Sequence, residues 1–205
     1  MDYSELSRKL ESRMGKLLSE ERADHSRRVA ILAAELCSRE GIDPERGRVA
    51  GLAHDLCKEM PKKLQRELAA YYPRYTQGKA LRPSESRQSS TLMADKVVHG
   101  PAAAVLLARE YAVADQEVLE AIALHTVGKP GMSPLAAILY CSDKLEPGRD
   151  RLSSEYRGRC LSLPLDAMLL SVVEGCIGWM RSQGRDVAPE TLILYSSLQN
   201  KADQS

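Results

Sequence analysis

Helical periodicity of the apolar residues is the feature that most limits what this chain can fold into. Apolar side chains recur every three or four residues along most of the sequence, and no stretch alternates between apolar and polar positions as a half-buried strand would. The most regular stripe consists of Leu165, Met168, Leu169, Val172, Val173, Cys176, Ile177 and Met180. Because such a stripe covers one face of a helix, the pattern predicts an all-α fold.

Local capping signals place the predicted helices along the chain. Gly41 is predicted to end the helix that carries the stripe from Val29 to Leu36. Asp43-Pro44 is predicted to open a helix that runs through Leu56 and ends before Pro61. Residues 72–95 are polar and show no period, so a loop or insertion is predicted near 62–98. Further helices are predicted over 3–18, 101–111, 115–125, 133–145 and 165–180, and from about residue 189 onward.

Composition argues against several classes of protein. The net charge of +1 gives no bulk attraction to nucleic acid or to membranes. The five cysteines are widely spaced and form no C-x-x-C pair, as expected for reduced thiols in the cytosol. No apolar run approaches the roughly 20 residues that cross a bilayer, and the charged N-terminus lacks the apolar core of a signal peptide. We therefore expect a cytoplasmic protein without a nucleic-acid or membrane partner.

Ionisable side chains at or near the ends of the apolar stripes indicate a metal centre. Buried imidazoles and carboxylates are costly unless they are paired or bound to a cation. Taken singly, each has an ordinary explanation, since a lone inward His is most often a hydrogen-bonded core residue. Asp55 can pair with Lys58, and Asp143 with Lys144. The joint pattern H…HD…H…H…D favours a metal instead, and its members are His25, His54, Asp55, His99, His125 and Asp143.

This pattern resembles that of the HD-domain phosphohydrolase superfamily. The segments that carry the resemblance are HSRRVAILAAELCSREGIDPERGRVAGLAHDLCKEMP from His25, HGPAAAVLLAREY from His99, HTVGKPGMSPLAAILYCSDKLEPGRD from His125, and GRDVAPETLILYSSL near the C-terminus. The HTVG…MS and SDKLEPGRD stretches are typical of the YqeK family, whose members are similar to symmetrical diadenosine tetraphosphate hydrolases. The resemblance implies an HD-domain helical bundle over residues 21–200. It does not account for the N-terminal helix within residues 1–20, which is predicted from the amphipathic pattern alone.

The resemblance also implies roles for individual residues. The implied metal ligands are His25, His54, Asp55 and Asp143. Asp55 and Asp143 are the implied catalytic carboxylates, and Asp143 is suited to orient or deprotonate the attacking water. Imidazole and carboxylate ligands without a thiolate suit iron, manganese, cobalt or zinc; we assign iron, and the sequence leaves a second ion open. The implied contacts to the nucleotide are His25, Lys58, Glu59, Met60, Pro61, His99, His125, Thr126, Asp143, Arg149, Pro189 and Thr191, with the loop 186–191 closing over the base or ribose.

These residues predict a metal-dependent phosphohydrolase. A divalent ion can polarise a phosphoryl oxygen and activate water, and Lys58 and Arg149 lie near the ligand segments, where they can neutralise phosphate. The resemblance selects dinucleoside polyphosphates, with diadenosine tetraphosphate cleaved symmetrically to two ADP. The alternatives are a nucleotidase, a deoxynucleoside triphosphate hydrolase, a cyclic nucleotide phosphodiesterase, or a regulatory HD module that only binds a nucleotide. A homodimer is compatible with the sequence.

Overall fold

Ten α-helices make up the regular structure in the computed structural model, which describes residues 1–72, 97–150 and 152–203. No β-strand occurs in these ranges, and the prediction of an all-α fold is confirmed. Nor does any helix within them combine the length and the apolar character needed to cross a bilayer. The helices are α1 (Tyr3–Leu17), α2 (Glu20–Arg39), α3 (Pro44–Ala53), α4 (Lys62–Ala69), α5 (His99–Tyr111), α6 (Gln116–Leu124), α7 (Pro134–Leu145), α8 (Ser154–Ser162), α9 (Leu165–Ser182) and α10 (Pro189–Ala202).

Capping side chains explain where many of these helices begin. Six helices have an N-cap Asp or Ser whose side chain accepts a hydrogen bond from a backbone N–H of the first turn: Asp2, Ser19, Asp43, Asp115, Ser133 and Ser153. Proline stands in the first turn of α3, α7 and α10, where its missing N–H costs nothing. The predicted starts near Asp43, Asp115, Ser133 and Pro189 are therefore confirmed.

Helices α2 and α3 form the most extensive helix pair, and their close approach depends on glycine. A Cβ at Gly51 would lie 2.4 Å from Ala30 Cα, and one at Gly47 would lie 2.7 Å from the Ala33 carbonyl oxygen. Helix α7 packs against both α2 and α6, and α5 packs against α6. The ends of α3, α5, α6 and α7 are thereby brought close to the middle of the bundle.

Helix α1 is held on the bundle by apolar packing and by a polar clamp. Leu10 and Met14 are fully buried, and α1 packs mainly on α3. The Tyr3 hydroxyl donates a 2.6 Å hydrogen bond to Asp115, and Arg46 donates two 2.8 Å bonds to the same carboxylate. The N-terminal helix thus shares the hydrophobic core of the bundle.

The structure differs from the predicted helices in three places. Helix α3 ends at Ala53 and does not run through Leu56, because residues 54–60 form successive turns with i to i+3 backbone hydrogen bonds. Helix α4 lies in the segment that we predicted to be a loop or insertion; most of that segment, residues 73–96, lies outside the described residues. Helix α8 was not predicted, because only Cys160 on it is buried and it carries no apolar stripe.

Candidate metal centre

Four histidines and two aspartates converge where five helices meet. They are His25 on α2, His54 and Asp55 after α3, His99 at the start of α5, His125 after α6, and Asp143 near the end of α7. None of these six residues is more than 9% exposed. Six titratable side chains in a region that excludes water therefore need partners from one another or from a bound cation.

Backbone carbonyls at two helix ends fix the rings of His54 and His125. His54 Nδ1 lies 2.7 Å from the Gly51 carbonyl oxygen, and His125 Nδ1 lies 2.7 Å from the Ile122 carbonyl oxygen. Because a carbonyl oxygen only accepts, both Nδ1 atoms donate, and each Nε2 faces the other side chains of the cluster. The same ring at the C-cap of two helices thus presents the form of imidazole that binds metals.

Two overlapping groups of ligand atoms result. In the first, formed by His25, His54 and Asp143, the ligand atoms lie within 4.8 Å of one another. Asp143 Oδ1 is 3.1 Å from His25 Nε2 and 3.9 Å from His54 Nε2. The second group, within the same limit, consists of His54, Asp55 and His125. His54 belongs to both.

His99 extends the second group toward the cationic side chain of Lys58. Its Nε2 lies 3.0 Å from His125 Nε2, 3.1 Å from Asp55 Oδ1 and 3.0 Å from Lys58 Nζ. Thr126 lies next to the same two rings, with its hydroxyl 3.1 Å from His125 Nε2 and 3.5 Å from His99 Nε2.

The unpaired atoms of this cluster fit a divalent cation. His54 Nε2 and Asp55 Oδ1 are buried, and neither has an aligned hydrogen-bond partner. Buried polar atoms are rarely left unpaired, and these two face the other ligand atoms of the cluster. Imidazole nitrogens and carboxylate oxygens together suit a borderline divalent ion. The HD-domain pattern and this geometry agree on a divalent metal centre.

The electrostatics favour the ligand forms of His54, His99, Asp55 and Asp143 at neutral pH. Burial lowers the pKa of His54 to about 3 and that of His99 to about 4, so both rings are neutral. Burial raises the pKa of Asp143, but the charge of Lys144 and the hydrogen bond from His25 outweigh burial and hold that pKa well below its usual range. The pKa of Asp55 is likewise held low, because the adjacent imidazoles outweigh burial.

Four cationic side chains surround the carboxylates. Asp55 is paired with Arg22, at 3.0 Å, and approached by Lys58, at 3.9 Å. Asp143 is paired with Arg149, at 2.6 Å, and with Lys144, at 3.1 Å. Lys58 and Arg149 were predicted as phosphate contacts, and the pairing of Lys144 with Asp143 was named as an alternative, whereas Arg22 was missed. Arg22 lies one helical turn before His25 on α2, and this spacing was the signal that could have identified it.

Glu146 is a further buried group that the sequence analysis missed. Its Oε1 lies 3.1 Å from His25 Nδ1, and the residue is 1% exposed. Burial opposes its ionisation, but hydrogen bonds from His25 and Arg28 outweigh burial and lower the pKa of Glu146 to about 2. Glu146 lies in the EPGRD segment, which carries part of the family resemblance, and this position was the signal that could have identified it.

Several residues predicted to contact a nucleotide also make contacts within the fold. Glu59 accepts hydrogen bonds from the backbone N–H and the hydroxyl of Ser19, at 2.6 and 2.8 Å. Met60 offers its carbonyl oxygen to Gln65, at 2.8 Å, and Pro61 is the N-cap of α4. Thr191 and Pro189 lie in the first turn of α10, and the buried Thr191 hydroxyl donates to the Val127 carbonyl oxygen at 3.1 Å. No side-chain hydrogen bond in the described ranges joins Glu59 or Thr191 to the histidine cluster.

Comparison with known protein families identifies the family to which this chain belongs. The model of the HD domain family matches residues 22–148, and this range contains all six clustered residues. The chain belongs to the HD domain family, as the sequence pattern predicted.

Individual proteins that are similar to this chain indicate a narrower class within the HD domain family. The chain is 28% identical over 181 residues to a protein named bis(5'-nucleosyl)-tetraphosphatase, symmetrical, from Halalkalibacterium halodurans, with 88% of this chain and 90% of the relative covered. It is 27% identical to the protein of the same name from Bacillus subtilis, over 88% of this chain and 91% of that one.

A solved structure also shares the fold. The crystal structure of a predicted HD superfamily hydrolase involved in NAD metabolism, from Clostridium acetobutylicum, superposes with a TM-score of 0.76 at 28% identity. The match covers 94% of this chain and 96% of that one, so the helical arrangement is shared along nearly the whole length.

Proposed function

We propose that this protein is a metal-dependent hydrolase of dinucleoside polyphosphates, which cleaves diadenosine tetraphosphate symmetrically to two ADP. The observation that carries the proposal is the buried cluster of imidazoles and carboxylates, with two atoms that lack an aligned partner at its centre and four cations around it. The substrate is supported by similarity to symmetrical tetraphosphatases over about nine tenths of the chain.

Metal binding is assigned to His25, His54, Asp55 and Asp143. Iron is the ion we propose, since a set of nitrogen and carboxylate ligands without a thiolate accepts it. Such an ion supplies Lewis acidity toward a phosphoryl oxygen and lowers the pKa of water. The His54 ring is held ready for this role by its hydrogen bond to the Gly51 carbonyl oxygen.

The surrounding cations are the groups we assign to the polyphosphate. Arg22 is paired with Asp55, and Arg149 is paired with Asp143. An ion that satisfies both carboxylates leaves the donor groups of these two arginines available for phosphate oxygens. Lys58 and His99 contact each other and lie beside Asp55, where they can stabilise the charge that develops during phosphoryl transfer.

Asp143 suits the orientation of water better than its deprotonation. Both of its oxygens are paired with cations, Oδ1 with Arg149 and Oδ2 with Lys144. A carboxylate whose pKa is held well below its usual range is a weak base at neutral pH. We therefore assign Asp143 the alignment of the attacking water and the ligation of the ion.

Product analysis tests this proposal. Metal-loaded protein is incubated with diadenosine tetraphosphate, and the nucleotides are separated by chromatography. ADP as the sole product is expected. AMP together with ATP would contradict symmetrical cleavage, and release of nucleoside and phosphate from mononucleotides would favour a nucleotidase. Absence of turnover with bound iron, manganese or cobalt would favour a regulatory module that only binds nucleotides.

Substitution of two assigned ligands tests the site itself. His54→Ala and Asp55→Ala each remove an atom that is buried without a partner, so both are expected to lose bound metal together with turnover. Metal content is measured by elemental analysis beside circular dichroism of the same samples. Lys16→Gln, on the exposed side of α1, is the control. Full metal occupancy in both alanine variants would refute the assigned ligands.

A cytoplasmic location and a homodimer remain predictions that accompany this function. Gel filtration with light scattering checks the second of these directly.

A further inference from the structure

The contacts of Glu146 form a chain that ends at a proposed metal ligand. Glu146 Oε1 lies 3.1 Å from His25 Nδ1, and His25 Nε2 lies 3.1 Å from Asp143 Oδ1 on the opposite side of the ring. The His25 ring therefore stands between two carboxylates, one at the proposed metal centre and one behind it.

Glu146 is itself fixed by two further donors. Arg28 Nε donates a 2.6 Å hydrogen bond to Glu146 Oε2, and the Gly148 backbone N–H donates another of 2.6 Å to the same oxygen. Arg28 lies on α2 close to His25, so one helix supplies both the ring and the group that holds its partner. With Oε2 occupied in this way, Oε1 is directed at His25.

The glycine in this segment is required by the same arrangement. A Cβ at Gly148 would lie 2.5 Å from Arg28 Nε and 2.5 Å from its Nη2. Any larger residue would push the guanidinium away from Glu146, because the contact is closer than atoms allow. The segment Glu146, Pro147, Gly148 and Arg149 therefore joins the carboxylate behind His25 to the arginine that pairs with Asp143.

We infer that Glu146, held by Arg28 and by the Gly148 amide, is a positioning residue that orients His25 for metal binding. An ionised carboxylate only accepts, so it requires the proton on His25 Nδ1 and leaves the Nε2 lone pair directed toward the site of the ion. Groups in this position behind a ligating histidine change metal affinity by roughly 10–100-fold when they are removed. The inference rests on the proposed function for the existence of the metal centre.

Cobalt(II) binding to metal-free protein provides the test. Glu146→Gln keeps the size of the side chain but cannot serve both neighbours, since an amide that accepts from His25 turns its NH2 group toward the Arg28 and Gly148 donors. We expect the cobalt dissociation constant of Glu146→Gln to rise by roughly 10–100-fold. The visible absorption bands of bound cobalt are expected to shift as well, because the His25 ring changes its orientation.

Glu155→Gln is the matched control, because it is the same substitution at an exposed residue of α8 whose carboxylate pairs with Arg159 on the surface. It should bind cobalt with the affinity and spectrum of the unchanged protein. Arg28→Lys is a second probe, since it keeps the charge but lacks the Nε donor, and it is expected to weaken cobalt binding less than Glu146→Gln does. If Glu146→Gln does not fold, as judged by circular dichroism, Arg28→Lys decides the inference: weaker cobalt binding than in the unchanged protein supports the positioning role, and unchanged affinity and spectrum refute it.

The outcomes separate this inference from the proposed function. If the unchanged protein binds no cobalt, the metal centre itself is refuted. If it binds cobalt and a folded Glu146→Gln binds with the same affinity and spectrum, the positioning role is refuted while the metal centre stands. A weaker affinity with a shifted spectrum in Glu146→Gln, and neither change in Glu155→Gln, supports the role.

Discussion

Acidification should destabilise the metal-free protein well before its carboxylates titrate. The cause lies in His54 and His99, because burial lowers their folded-state pKa values to about 3 and about 4 from the ordinary histidine pKa of about 6.5. Below pH 6.5 the unfolded chain binds protons at these two rings while the folded protein does not. Since the unfolded state then binds more protons, the free energy of unfolding must fall as the pH falls.

The magnitude follows from these values. Between pH 7 and pH 5 each of the two rings should remove about 2 kcal/mol from the free energy of unfolding, so that together they remove about 4 kcal/mol. This is a large part of the roughly 5–15 kcal/mol that stabilises an ordinary domain. His25 acts in the opposite direction: burial lowers its pKa, but hydrogen bonds to Asp143 and Glu146 outweigh burial and raise it. The stabilisation from His25 is fully present below pH 6.5 and is lost as the pH rises through the raised pKa, so it offsets only part of the effect.

Urea unfolding of metal-free protein at pH 7, 6 and 5 measures this loss. His99→Gln removes one of the two rings, and its loss of stability between pH 7 and pH 5 should be smaller by about 2 kcal/mol. Lys16→Gln, an exposed change on α1, should follow the unchanged protein. The reasoning is refuted if the free energy of unfolding of the unchanged protein is the same at pH 5 as at pH 7. It is also refuted if His99→Gln loses as much free energy of unfolding between pH 7 and pH 5 as the unchanged protein loses.

Two further substitutions test the substrate contacts and the helix packing. Lys58→Gln removes a cation 3.0 Å from His99 Nε2. A charged hydrogen bond to phosphate is worth about 1.5–3 kcal/mol, so its loss should lower kcat/KM for diadenosine tetraphosphate by roughly 10–100-fold. An unchanged kcat/KM in steady-state kinetics would show that Lys58 does not contact the substrate. Gly51→Ala places a Cβ 2.4 Å from Ala30 Cα and should lower the free energy of unfolding in urea by about 1–3 kcal/mol. Gly178→Ala, in α9, has nothing within 4 Å of the added Cβ and should not lower it. Equal effects of the two substitutions would contradict the close packing of α2 and α3.

Much of the fold could be predicted because its main signals are local. Apolar stripes and N-cap residues placed α2, α6, α7 and α9 close to where they occur. The end of α3 could not be predicted in the same way, because it depends on the His54 ring, which bonds the Gly51 carbonyl oxygen. Helix α8 buries only Cys160 and has little periodicity, so the sequence gave little signal for it. Helix α4 does carry a periodic signal, with Leu64 and Leu68 four residues apart, but the helix is short and the polar stretch that follows it favoured a loop.

The candidate ligands could be predicted for a different reason from the groups that support them. A histidine or an HD pair at the end of an apolar stripe is unusual enough to be noticed, and four of the clustered residues are histidines. Arg22, Lys144 and Glu146 are charged residues of common types, and in sequence they resemble solvated surface charges. Only the folded chain shows that Lys144 and Glu146 are buried and that Arg22 reaches Asp55.

The candidate centre is built largely from helix ends. The last carbonyl oxygens of a helix lack backbone partners, and two of them, in Gly51 and Ile122, hold the rings of His54 and His125. Helix packing then sets the distance between the rings, whose centroids lie 4.9 Å apart. The orientation of both imidazoles therefore follows from the hydrophobic core and the helix termini, so the same packing that stabilises the bundle also places two of the candidate ligand atoms.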